Sequence, residues 1–225
     1  MQLLERELNN IRIKAASMSV TSGEMYQEAI RAFLNHDLAL ARQVVERDRL
    51  VDIYELEIDE MCLKFLALYA PKAMALRYVV AVLRMIVELE RVADHSKAVC
   101  REVLDYHCAS LLPGLPDFET MLNLTLKMLR EATDSFFEKN AQLHEAIIET
   151  DKRVGRLQKA LIHSLAALIR DDANNIDGAV VLMNIVRRVE RVGDHAKNIA
   201  ELVPYIASGQ VVRHKEVLEN ANIDH

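Results

Sequence analysis

The sequence predicts an all-α protein built as two tandem, similar three-helix bundles, six long helices in all. Only 6 glycines and 4 prolines punctuate 225 residues that are 51% hydrophobic, so the chain can bury a large core and spends little of its length in turns. Apolar and charged residues recur at three- and four-residue steps instead of alternating, and aromatics reach only 5%, which speaks against strands. The chain also repeats itself. The segment Glu90 to Lys97 (ERVADHSK) returns 100 residues later as Glu190 to Lys197 (ERVGDHAK), identical at six of eight positions. At an offset of 103, Val45 to Asp48 (VERD) matches Ile148 to Asp151 (IETD), and Phe33 matches Phe136.

The elements follow in order. Helical periodicity runs from about Glu5 to His36, breaks near His36 and Asp37, resumes to Tyr69 and stops at Ala70 and Pro71, where proline disfavours continuation. A third helix runs from about Lys72 to His107. The stretch Ala109 to Pro116 (ASLLPGLP) is the clearest linker, with Asp117 as the expected N-cap of the next helix. The second half repeats the pattern: a helix to about Lys139, another from Asn140 to Arg170, a polar loop Asp171 to Gly178 (DDANNIDG), and a last helix stopped by Gly209. The domains are therefore expected at 1–108 and 117–209, joined by 109–116, with a polar tail at 210–225. Helices of about 30 residues are about 45 Å long, so each half should be an elongated bundle with extended faces suited to protein contacts.

A formal net charge of −6 argues against nucleic acid as the main ligand, since phosphate backbones are held by clustered cations. Cys62, Cys100 and Cys108 are odd in number and form no C-x-x-C pair, so reduced thiols are expected. Glu5, Arg6 and Glu7 fall where an export signal needs an apolar core. Arg77 and Arg84 interrupt the most apolar region, 73–87, which is short of the ~20 clean residues of a membrane span. Membrane association is expected only through partners.

The chemistry concentrates in carboxylates. Val82, Ile86, Glu90 and Asp94 are spaced by four, which puts two acids at the flank of an apolar stripe that includes Ile86, Leu89, Val92 and Val99. Leu182, Val186, Glu190 and Asp194 repeat this arrangement. Asp48 and Asp52 lie on the flank of the Val44, Val51, Ile58 and Phe65 stripe, and antiparallel packing would bring the pairs together. Converging carboxylates repel one another unless a cation such as Mg, Mn, Fe or Ca neutralises them. The second half has Asp151, Glu190 and Asp194, but Gly155 where Asp52 has its acid, and Glu149 is a weak substitute. A solvated ladder of Glu90, Asp94, Lys97 and Arg101 is the alternative. His95 and His195, about 100° round from the acids, suit a surface or interface; Arg91 and Arg191 point outward.

No catalyst is nominated. A ferritin-like di-iron centre needs Glu-x-x-His, and Ala93 and Gly193 occupy the third position after Glu90 and Glu190. A metal phosphohydrolase of the HD type needs His-Asp, and both copies read Asp-His. P-loop, G-x-S-x-G and H-E-x-x-H motifs are absent. The protein is expected not to be an enzyme.

The repeated E-R-V-[AG]-D-H-x-K segment, with Asp48 and Asp52, Lys197 to Ile199, and Gly209 to His214 (GQVVRH), resembles the PhoU family over nearly the whole chain. The departures are Ala93 for glycine and Gly155 for a second acid. The resemblance implies a negative regulator of phosphate uptake and of phosphate-starvation signalling. Such a protein links a phosphate ABC transporter, through its ATPase subunit, to a sensor histidine kinase, at the cytoplasmic side of the inner membrane and often as a homodimer. It also implies iron, zinc, manganese or magnesium at Asp48, Asp52, Glu90, Asp94, Asp151, Glu190 and Asp194. An accessory protein of another phosphate or metal-ion transporter, a metal store and a metal-dependent phosphoesterase are the alternatives.

Overall fold

In the computed structural model, residues 2–106 and 115–209 are described, and every regular element among them is helical. Helix α1 spans Gln2–Asn35, α2 Leu38–Tyr69 and α3 Ala73–Asp105; α4 spans Pro116–Glu138, α5 His144–Asp171 and α6 Ile176–Ser208. Most of the linker, Cys108 and the tail 210–225 lie outside the described residues.

The turns are set by local chemistry. His36 takes a left-handed φ of 51°, and Asp37 then caps α2 by accepting from the Leu40 amide. Ala70 (φ 40°), Lys139 (φ 56°) and Gly209 (φ 78°) end α2, α4 and α6 in the same left-handed conformation. Three expected boundaries are corrected. Asp117 is not the cap of α4: Leu115 takes that position and Pro116 opens the helix, where a missing N–H costs nothing, leaving Asp117 in the first turn facing the positive end of the dipole. Asn140 caps a short 3₁₀ turn, Ala141–Leu143, and α5 begins only at His144. Likewise Asp172 caps a turn at Ala173–Asn175, so α6 starts at Ile176, inside the stretch read as loop.

Each half is a three-helix bundle, and the halves meet through equivalent helices: α3 packs on α6 and α1 on α4, while α2 and α5 flank the outside. The stripes are core: Val44, Val51, Ile58 and Phe65 of α2 and Ile86, Leu89, Val92 and Val99 of α3 are all buried. Met18, Met25, Met85, Met121 and Met128 fill the same interior. Between the halves Phe33 meets Phe118 edge to face, with ring centroids 5.5 Å apart, and Tyr78 meets Phe136 at 5.9 Å. The buried Tyr26 hydroxyl lies 2.6 Å from Thr125 Oγ1, which itself donates to backbone carbonyls of α4. Arg77 and Arg12 donate to the carbonyls of Ile206 and Phe137, tying helix ends across the junction. Cys62 and Cys100 are buried and free, their thiols pushed up to about 12 by burial. No helix among the described residues is long and apolar enough to cross a membrane.

Tyr26→Phe removes one hydrogen bond between the halves and leaves the Thr125 hydroxyl satisfied by its own helix. The variant should lose about 1 kcal/mol of stability in urea denaturation.

Candidate functional site

On α3, Val92, Ala93 and Ser96 are buried, and this rotation of the helix holds Glu90, Asp94 and Lys97 along its edge with α2. Asp48 is drawn into the same edge, only 7% exposed. Lys97 Nζ lies 2.5 Å from Asp48 Oδ2 and 2.8 Å from Asp94 Oδ1, so one ammonium joins the two helices. The second half repeats the unit: Lys197 Nζ is 2.8 Å from Asp151 on α5 and 3.3 Å from Asp194 on α6. Arginines stand on the rim. Arg91 reaches Glu90 at 3.4 Å and Asp94 at 3.6 Å, and Arg191 reaches Asp194 at 3.5 Å.

Burial raises the Glu90 carboxyl to about 7, helped by Asp94 and opposed by Arg91, and the two acids share a hydrogen bond. Burial acts on Asp94 the same way, but its bonds to Lys97 win and hold it below the usual aspartate range. Burial would lower both lysines, yet the bonds to Asp48 and Asp94, and to Asp151 and Asp194, raise them. Glu190 is raised by burial and then by Asp194. Glu55 is raised by burial and then by Asp52, with Asp59 and Asp94 adding to it.

The structure thus joins Asp48 to Asp94 through Lys97, with Glu90 beside Asp94, in one half, and Asp151 to Asp194 through Lys197, with Glu190 beside them, in the other. Asp52 sits apart, exposed on α2, one turn beyond Asp48. Glu149 turns away to exposed pairs with Lys152 and Arg156. Two participants were missed in the sequence. Glu55 was readable as the third acid of a 48, 52, 55 stripe at helical spacing. Lys97 was read only as a rung of a surface ladder; it is that rung, three residues from Asp94, but it also crosses to Asp48, which no spacing within one helix reveals. The histidines are interface residues: the His95 and His195 rings lie 5.4 Å apart across α3 and α6. His195 Nδ1 is 2.7 Å from Glu88, which also accepts from Asn198.

The residue types suit a hard cation, since all are carboxylates and Glu90 carries more negative surroundings than Arg91 offsets. As arranged, the cation among them is an ammonium. Among the described residues no three His, Cys, Asp or Glu side chains are grouped to hold a metal ion, so an ion would have to displace the lysine. At Gly155 an added Cβ meets nothing within 4 Å, so the second unit lacks its acid by residue choice and not by crowding.

The PhoU domain family matches residues 15–103 and 118–203, one domain on each bundle. The chain belongs to the PhoU family. It is 33% identical over 208 residues to the phosphate-specific transport system accessory protein PhoU of Serratia marcescens, covering 92% of this chain and 86% of that protein. Against the Escherichia coli K12 protein of the same description it is 31% identical at the same coverage. The crystal structure of PhoU from Pseudomonas aeruginosa superposes with a TM-score of 0.84 at 30% identity, over 92% of this chain and 99% of that one. A phosphate transport system regulatory protein PhoU from Streptococcus pneumoniae shares the fold, with a TM-score of 0.85 at 24% identity over 93% of this chain and 99% of that one. Within this family fold the Ala93 departure is mild, because a Cβ on its equivalent Gly193 would make only ordinary contacts, 3.5 Å from Thr125.

Two outcomes test the acid edge. Lys97→Met keeps the aliphatic stem but leaves buried Asp48 without its cation, and should cost about 1–3 kcal/mol. Lys64→Met, which breaks an exposed pair with Glu60, should stay within about 0.5 kcal/mol. For Glu90 the folded-state value is raised, so its contribution is fully present below the unfolded value of 4.5 and fades as pH rises through about 7. Denaturation between those limits should show wild-type stability falling with pH relative to Glu90→Gln.

Proposed function

We propose that this protein is an accessory regulator of phosphate-specific transport, acting as a helical adaptor between the cytoplasmic ATPase subunit of a phosphate ABC transporter and a sensor histidine kinase. In this role it restrains uptake and the starvation signal when phosphate is ample. The supporting observation is family membership carried by both repeats, together with relatives described as accessory proteins of that transport system along 92% of the chain. The family is one of accessory and regulatory proteins and not of enzymes. An adaptor needs long rigid faces, and six helices of 23 to 34 residues supply them. It reaches the membrane through its partners, and it pairs with a second copy as a homodimer.

Asp48, Glu90 and Asp94, with Asp52 at the edge, are the residues that would hold a divalent or iron ion in the first half; Asp151, Glu190 and Asp194 would do so in the second. When bound, the ion would neutralise the acid edge. In its absence Lys97 bridges Asp48 and Asp94, and Lys197 bridges Asp151 and Asp194, joining α2 to α3 and α5 to α6. Partner choice then responds to the charge of this edge, since complementary potentials select partners and speed their association.

Pull-down with the transporter ATPase and the kinase should retain both partners with wild-type protein and lose at least one with Glu90→Ala/Asp94→Ala; unchanged capture of both removes the acid edge from the mechanism. Elemental analysis of purified protein supplies the metal readout. Iron, zinc, manganese or magnesium should be retained by wild type, increased in Lys97→Met/Lys197→Met, and lost in the carboxylate-to-alanine variants.

A further inference from the structure

The two repeats agree inside and disagree outside, and the disagreement is greatest on α2 and α5. At an offset of 103 the buried positions correspond: Val44 with Ile147, Val51 with Val154, Ile58 with Leu161 and Cys62 with Leu165. On the outward side Leu50, Ile53 and Leu56 are replaced by Arg153, Arg156 and Lys159. From Leu50 to Leu63 the first half carries five acids, Asp52, Glu55, Glu57, Asp59 and Glu60, and no lysine or arginine. The matching stretch of α5, residues 153–166, has no acid. The fold therefore requires neither the acids nor the leucines of the outer α2 face, because the same helix in the same bundle is built without them.

The face itself is open and apolar. Leu56 is 71% exposed and Leu63 55%, with Ile53 and Leu50 above 40%, running diagonally over three turns of the helix. Two of the surrounding acids are paired, Glu57 with Lys14 and Glu60 with Lys64, in exposed contacts that exchange readily with solvent. Asp52, Glu55 and Asp59 make no ion pair among the described residues, and Glu55 feels the repulsion of the other two. Apolar side chains set in negative charge that Lys14, Lys64 and Arg91 only partly offset match one kind of ligand: a helix with an apolar stripe and cationic flanks.

We propose that the outer face of α2 is a docking surface for a cationic amphipathic helix of a partner protein. The leucines supply the buried contact, and Asp52, Glu55 and Asp59 set polarity and attraction. A second copy using the same face is disfavoured, since five acids would confront five. The basic face of α5 in a second copy has the right charge, but it presents no exposed large apolar side chain to the leucines. The proposal extends the adaptor reading but does not depend on which transporter is served, and its test uses neither transporter nor kinase.

The probe is a fluorescent peptide, about five helical turns long, with leucines at three- and four-residue steps and lysines elsewhere, titrated at physiological salt. Wild-type protein should bind it. Leu56→Ser/Leu63→Ser, which changes no charge, should weaken binding at least tenfold. Asp59→Asn/Glu60→Gln should weaken it several-fold and flatten its salt dependence. Glu145→Gln/Glu149→Gln removes two exposed acids from α5 and should change it less than twofold; circular dichroism confirms that all variants are folded. No binding by wild type, no loss with the leucine pair, or an equal loss with the α5 pair overturns the proposal. So does sedimentation showing that the protein self-associates and that Leu56→Ser/Leu63→Ser abolishes it, which assigns the face to a second copy.

Discussion

Helices α3 and α6 are enclosed on three sides, α3 by α1, α2 and α6, and α6 by α4, α5 and α3. A helix so enclosed is apolar round most of its circumference, and polar side chains are confined to the narrow strips left between neighbours. Glu90, Asp94 and Lys97 occupy such a strip along α2, and Glu190, Asp194 and Lys197 its counterpart along α5. Where α3 meets α6, Glu88 holds His195 and accepts from Asn198, and the His95 ring lies against that of His195. The repeated motif is thus largely a record of packing: Val92, Ala93 and Ser96 turn inward in one copy, and Val192, Gly193 and Ala196 in the other.

Within the strip, an ammonium between two aspartates offsets half of their charge and joins two helices. Its strength does not come from the ion pair alone, since half-exposed pairs contribute little. It comes from the asymmetry of breaking the pair: Asp48 is almost wholly removed from water, and a buried carboxylate left alone is far more costly than a pair never made. Glu90 is the surplus acid. With Lys97 committed to Asp48 and Asp94, Arg91 on the rim is the cation that answers its charge among the described residues, and burial raises its carboxyl accordingly. The acid edge therefore has one settled part and one part whose charge responds to its surroundings.

Periodicity and the repeat made the six helices legible, because apolar spacing within a helix is local and the duplicated segment fixed how the halves correspond. Helix ends at Ala70 and Gly209 were equally plain. The misplaced starts have local causes: α4 opens on Pro116 behind Leu115, and Asn140 and Asp172 cap short 3₁₀ turns ahead of α5 and α6, choices of backbone geometry that composition does not carry. At the site, the convergence of Asp48 with Asp94 was legible from two amphipathic flanks. The lysine between them was not, because its reach across to α2 depends on the register of α3 on α2, which no spacing within one helix carries. Asp52, alike in sequence to Asp48, differs only by the small rotation that leaves it outside.

Once the repeats are superposed, the differences between the halves become informative in a way the similarities are not. Lysine bridges, buried stripes and interface histidines are kept in both halves, as expected of features that hold a three-helix unit together. The first half then adds Asp52 and Glu55, where the second has Gly155 and Gln158, and sets Leu50, Ile53 and Leu56 among acids where the second carries Arg153, Arg156 and Lys159. Gly155 lies in open space, so no steric demand excludes an acid there. With opposite charge on the outer faces of α2 and α5, each face repels the kind of ligand that the other attracts, which is how the proposed adaptor role would keep two partners apart.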